Sequence, residues 1–250
     1  MLFRSWLIAA WALRRDGEPW GDAGKPGFSP LPLALALPPI TAGITISLSE
    51  IDNILRAILP GFLFAQLDFA PDLDELVTNG WQGPVLAVLI APLTEELIFR
   101  GLILRGLLAR WSPALAIAGS AVLFAATHLN PAQAPVALLL GAILGWVYVR
   151  TRSLGLCVLG HAFNNAATYI TDFPFEVRGF NAAPETDAAV FHPWWFDLTG
   201  ALLLCGGIWW IHRHAPAAAP WRRAAVAPIS PAEPPVLSPP ILGAAAAVGG

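Results

Sequence analysis

Residues 112–149 read SPALAIAGSAVLFAATHLNPAQAPVALLLGAILGWVYV and contain no Asp, Glu, Lys or Arg. A helix needs ~20 residues to cross the ~30 Å of hydrocarbon in a bilayer, so this run holds two near-spanning lengths. Asn130-Pro131 divides them, because proline removes a backbone donor and drives the preceding residue out of the α region. The stretch predicts two adjacent helices joined by a tight turn.

Working outward, similar apolar runs occupy 31–49, 82–104, 153–171 and 193–211, with a weaker one at 54–70 that carries Arg56 and Asp68. Leu2 to Leu13 is too short to span, with Arg4 inside it and Arg14-Arg15 behind it, which suits an interfacial helix or the remnant of a longer segment. The composition agrees. Hydrophobic residues make up 56% of the 250 and charged ones 12%, with 11 Trp against 14 Lys plus Arg, and the mean hydropathy is +0.61. Such a chain cannot cover a globule with polar side chains, and lipid must solvate much of its surface. The expected fold is all-α, a polytopic membrane helical bundle of about six to eight helices, and the expected location is a cell membrane, crossed several times. The net charge of −3 offers no dense basic face for counterion release, so nucleic acid is excluded as a partner. Cys157 and Cys205 lie in apolar runs and read as packing residues rather than a disulfide.

Three regions follow. Residues 1–27 form an N-terminal interfacial segment, 28–211 the membrane-embedded helical domain, and 212–250 a tail where Ala and Pro dominate, which can neither sustain a helix nor bury a core. Orientation follows the Lys/Arg bias of short loops. Arg105 with Arg110, Arg150 with Arg152, and the tail's Arg213 mark cytoplasmic ends, and the turn at 129–132 and the 172–192 loop then face the other side. The N-terminal arginines share the cytoplasmic side only if the crossings before residue 82 are odd in number.

The chemistry sits in the apolar runs. Glu95-Glu96-Leu97-Ile98-Phe99-Arg100 lies deep in the 82–104 helix, and ionisable groups within a membrane are functional candidates by default. Glu96 and Arg100, at i and i+4, share a helix face and can form an ion pair. Glu95 points about 100° away, lacks that partner, and is suited to take a proton from water and pass it on. The structural alternative is that both acids cap or cross-link helices. Two further helices supply His128 with Phe124 one turn before it, and His161 with Asn165 one turn after it. Either histidine alone would read as a hydrogen-bonded core residue. Their concentration with Asn164 and Asn165 in the most apolar region points to one shared site. Counting ~1.5 Å per residue from helix ends near 104, 153 and 112 puts Glu95 about 14 Å, His161 about 12 Å and His128 roughly 24 Å deep, so the first two agree and the third requires a tilt or a different boundary.

Glu95-Glu96 with Arg100, Phe124 with His128, and His161 with Asn165, in that order on apolar helices, resemble the EExxxR, FxxxH and HxxxN motifs of the CPBP family of intramembrane proteases. That family includes the type II CAAX prenyl endopeptidases and the bacteriocin-processing or immunity proteins. The resemblance covers roughly residues 80–171. It implies an endopeptidase whose cavity opens to the cytosol and which cleaves near the C-terminus of hydrophobic or lipidated peptides. It further implies that Glu95 and His128 activate water, that His161 and Asn165 donate to the oxyanion, and that Glu96 and Arg100 hold the catalytic helix in register.

The cofactor reading is metal-independent catalysis, with zinc held by Glu95, His128 and His161 as the alternative, since a carboxylate and two imidazoles can ligate it. Asn165 is a poor zinc ligand, and the chain has no HExxH, GxSG or GxGD for other intramembrane protease classes. Two rival functions remain: a catalytically silent immunity or scaffold protein, against which no motif residue is missing, and a proton-coupled transporter, against which no second copy of the EExxxR segment is found.

Overall fold

Apolar residues on every side of a helix leave it no stable place in water, and the helices here are of that kind. The computed structural model describes residues 30–58, 81–129, 133–167, 176–182 and 190–215, and no strand occurs among them. Six helices carry nearly all of these residues. Helix α1 (Leu31–Ile58) begins with the single turn Leu31–Ala34 and continues from Leu37. Helix α2 runs from 82 to 108. Then follow α3 (Pro113–Thr127), α4 (Ala134–Thr151), α5 (Leu154–Ala167) and α6 (Trp194–His214). Pro113 starts α3 behind an extended Ser112, the position where a missing N–H is harmless. The two-helix reading of 112–149 matches α3 and α4.

Other boundaries moved. The run at 31–49 continues to residue 58 and absorbs the first residues of the weaker 54–70 candidate, and α2 continues past 104 to 108. The rest of 54–70, the Leu2–Leu13 segment, residues 168–171 and the tail from 216 lie outside the described residues. Among the described residues three helices, α1, α4 and α6, are long and apolar enough to cross a membrane, and α3 is apolar but shorter. The protein is an all-helical, multi-pass membrane protein. Leu115, Val122 and Leu123 on α3 and Leu198 and Leu202 on α6 point outward, as lipid-facing side chains do. Trp194 and Trp195 at one end of α6 and Trp209 and Trp210 near the other are exposed, spaced by about 22 Å, like the aromatic belts at the two interfaces of a bilayer.

Small residues set the helix contacts. A Cβ on Gly43 of α1 would stand 2.6 Å from the carbonyl oxygen of Gly200 on α6, so the two backbones approach as only glycine allows. Trp210 donates through Nε1 to the Pro32 carbonyl at 2.8 Å, while at the opposite end Ile46 packs with Phe196 and Val177. Helices α1 and α6 are therefore antiparallel. Gly141 and Gly145 of α4 lie against Ala121 and Ile117 of α3 in the same close manner. The arginine-bearing ends of α2, α4 and α6 fall on one side, joined there by Arg150 donating to the His212 carbonyl at 3.0 Å. Residue 31 is on that side too, and α1 ends where α2 begins, on the other.

Cys157 is buried, Cys205 is exposed, and both are free. Cys157 Sγ lies 3.4 Å from the carbonyls of Leu144 and Ser153, the packing role expected of it.

Candidate active site

Helix α2 is not a uniform α-helix. Residues Leu86–Ile90 and Leu97–Leu104 adopt the wider π form, on either side of the α-helical Ala91–Glu96. Pro92 accounts for part of this. In the first π segment the Ala91 N–H bonds to the Leu86 carbonyl, five residues back, so the Ala87 carbonyl would take the N–H of residue 92, which proline lacks. Asn165 of α5 supplies the missing donor, its Nδ2 lying 2.9 Å from the Ala87 oxygen. In the second segment the Phe99 carbonyl accepts from Ser120 Oγ of α3 at 3.3 Å. Widened turns of this sort recur at functional sites, and here they flank the two glutamates.

Glu96 and Arg100 form the expected pair, Nη1 to Oε1 at 2.7 Å, with their side chains 0% and 1% exposed. Arg100 also donates through Nη2 to the Gly141 carbonyl at 3.2 Å. The same Glu96 oxygen lies 2.9 Å from His161 Nδ1. A carboxylate paired with a guanidinium offers only acceptor atoms, so Nδ1 of His161 carries the proton and its Nε2 faces Glu95, 3.8 Å from Oε2. That separation is too long for a hydrogen bond. Glu95 Oε2 is buried and has no hydrogen-bond partner among the described residues, while the side chain as a whole is 33% exposed. His128 closes α3, and its Nδ1 lies 2.9 Å from the Phe124 carbonyl, which again leaves Nε2 as the outward nitrogen. Leu129, next in the chain, has a φ of 51°, so the chain turns sharply just after His128.

Phe124 ties the group together. Its ring meets those of Phe99 at 5.0 Å, His128 at 4.8 Å and His161 at 5.6 Å, all edge-on, and the Arg100 guanidinium sits 4.9 Å from its centroid. Arrangements of this kind are favourable for aromatic and cationic partners. Glu95, Glu96, Arg100, Phe124, His128 and His161 thus gather where α2, α3 and α5 meet.

Asn165, one turn beyond His161 on α5, reaches towards the first π segment. Its amide nitrogen donates to the Ala87 carbonyl, two helical turns from Glu95, and Asn164 donates to its side-chain oxygen at 3.4 Å. The Asn165 amide thus also has a structural purpose, satisfying the carbonyl left over at Pro92. A cavity of about 300 Å³ lies beside Asn164 between α1, α4 and α5, with Thr45, Asp52 and Pro135 in its wall. The depth mismatch at His128 also resolves. Counting from 108 rather than 104 places Glu95 about 20 Å along α2, against roughly 22 Å for His128 along α3. The α4–α5 connection is recessed, with Thr151, Ser153 and Leu154 buried, so α5 starts deep and His161 needs fewer residues to reach the same level.

The donor chemistry of Glu95, His128 and His161 would suit zinc, since both imidazoles hold an acceptor at Nδ1 and leave Nε2 outward. Of the three, Glu95 Oε2 and His161 Nε2 stand 3.8 Å apart, and the trio gathered within 4.8 Å among the described residues is elsewhere.

Ala87, Pro92, Phe99, Ser120 and Gly141 were not singled out from sequence. Gly141 with Gly145 is a GxxxG pair, a visible signal of close helix packing. Pro92, three residues before Glu95, was a visible signal of a disturbed turn.

Fold and site together define a multi-pass helical membrane protein with a buried carboxylate and imidazole centre of the kind catalysis uses. Residues 77–167 match the Rce1-like family, type II CAAX prenyl endopeptidase Rce1-like, and the chain carries a domain of that CPBP peptidase family. No curated protein and no solved structure gives a significant match to the chain.

Proposed function

We propose that the protein is an intramembrane endopeptidase that cleaves near the C-terminus of hydrophobic or prenylated, CAAX-type peptides or proteins, using water activated by Glu95 and His128. The observation that carries this reading is the buried, unpartnered Oε2 of Glu95 beside two imidazoles in a domain whose family is one of peptidases. In the proposed step Glu95, aided by His128, takes a proton from water as its oxygen adds to the scissile carbonyl. His161 keeps its Nδ1 proton on Glu96, so it can donate from Nε2 to the developing oxyanion only as imidazolium. The proton held by Glu95 then passes to the leaving amine as the C–N bond breaks. Glu96 and Arg100 orient His161 and do not touch substrate. Asn165 holds one amide hydrogen on the Ala87 carbonyl, and its second is the donor proposed for the oxyanion.

The test is incubation of purified protein with prenylated and unprenylated hydrophobic peptides, with and without chelator, read by mass spectrometry. Cleavage near the C-terminus, insensitive to chelator, is expected, and Glu95→Gln should lower turnover by about 10²–10⁴-fold at an unchanged melting temperature. Wild-type turnover by that variant would remove Glu95 from the chemistry, and proton flux in liposomes without cleavage would replace the peptidase by a transporter.

A further inference from the structure

On the side of the bundle away from the arginine-bearing ends, Glu50 of α1 meets His192 and Asp197 at the start of α6. One ligand atom from each lies within 4.8 Å of the others. His192 Nδ1 is 2.9 Å from Asp197 Oδ1 and 3.5 Å from Glu50 Oε2. Ligands bonded tetrahedrally at ~2.1 Å stand about 3.4 Å apart, and these two separations bracket that value. We infer that Glu50, His192 and Asp197 form a binding site for a divalent transition-metal ion, zinc being the best match to one imidazole and two carboxylates, which clamps α1 to the entry of α6.

The surroundings are those of a supported ligand set. Ser49 Oγ is 3.2 Å from His192 Nε2, and a hydroxyl can accept as well as donate, so Nε2 can keep its proton while Nδ1 presents a lone pair to the ion. Glu50 Oε2 is oriented by the His192 backbone N–H and by Asn53 Nδ2, each donating at 3.0 Å. Asn53 also donates to the Gly179 carbonyl, tying the 176–182 segment to the same corner. The imidazole stands edge-on to Phe180 and Phe196, 5.9 and 5.2 Å between centroids, and its side chain is 0% exposed. Outer partners that fix the tautomer and apolar walls that exclude water both characterise metal sites. Asp197, with its side chain 38% exposed, leaves an entry path and room for water as a fourth ligand. Two carboxylates and a neutral imidazole also balance the charge of a dication. The residues are separate from Glu95, His128 and His161, so the inference stands apart from the proposed peptidase reaction.

The experiment uses the full chain in detergent, stripped with chelator, dialysed against zinc chloride and assayed by elemental analysis together with thermal unfolding. About one zinc per chain should be retained at this site, with a raised melting temperature. Asp197→Asn and His192→Gln should each lose the zinc and the rise, and Ser49→Ala should weaken affinity about tenfold. Glu95→Gln should keep both. If His192→Gln does not fold, the more exposed Asp197→Asn carries the test. Absence of zinc-dependent stabilisation in the parent overturns the inference, as does zinc kept by Asp197→Asn or lost by Glu95→Gln.

Discussion

Arg100 Nε and Glu96 Oε2 are buried without hydrogen-bond partners among the described residues, so the pair depends on its one short contact, on His161 and on the Gly141 carbonyl. Removing the guanidinium strands a buried carboxylate. Arg100→Leu is expected to destabilise the protein by about 3–5 kcal/mol and to lower turnover through a misplaced His161, and a variant that melts like the parent would show that the ion pair contributes nothing to the fold. At Asn165 two roles compete. If its amide mainly satisfies the Ala87 carbonyl, Asn165→Ala leaves that acceptor unpaired and should cost about 1–3 kcal/mol, seen as a lower melting temperature. A loss of ~10²-fold or more in kcat with no change in melting temperature or KM is the signature of an oxyanion donor instead. Measuring both on one variant separates the roles.

At the scale of elements, the two π segments decide where the glutamates point, because each widened turn shifts the azimuth of everything beyond it. Pro92 maintains the first by withholding an N–H from Ala87. Pro92→Ala should gain helix stability, by up to about 3 kcal/mol on intrinsic propensity, while turnover falls because α2 can relax to a regular α-helix and rotate Glu95 and Glu96 away from His161. Hydrogen exchange at Leu86–Ala91 and peptide turnover, measured together, test this: unchanged turnover in a more stable variant would sink the idea that the π segment aims the carboxylates. The sharp exit at Leu129, with its φ of 51°, has a comparable effect on α3, fixing His128 at the helix end with Phe124 one turn below.

For the whole molecule, the antiparallel packing of α1 on α6 places residue 31 on the side of Arg105, Arg150 and Arg213, and His128 towards the other. Single cysteines at Arg110 and Leu129, introduced in a Cys205→Ser background, should react with an impermeant maleimide from opposite faces, Arg110→Cys from the cytoplasmic one. Labelling of both from one face would refute this arrangement of α3. The all-helical membrane fold and the two helices of 112–149 were legible in the sequence because hydrocarbon forces every backbone donor and acceptor to be satisfied within a helix, and because an uncharged run longer than one crossing must break. The Glu96 to Arg100 pair was legible as well, since i and i+4 spacing is a property of one helix. What single-helix rules cannot contain is a contact between helices, so His161 on Glu96, the ring of Phe124 among four partners, and the recessed start of α5 required the packed bundle. The commitment of Asn165 to Ala87 is the clearest case: the motif spacing named the residue, but its hydrogen bond is set by a proline 73 positions earlier, through a carbonyl that only the tertiary structure brings within reach.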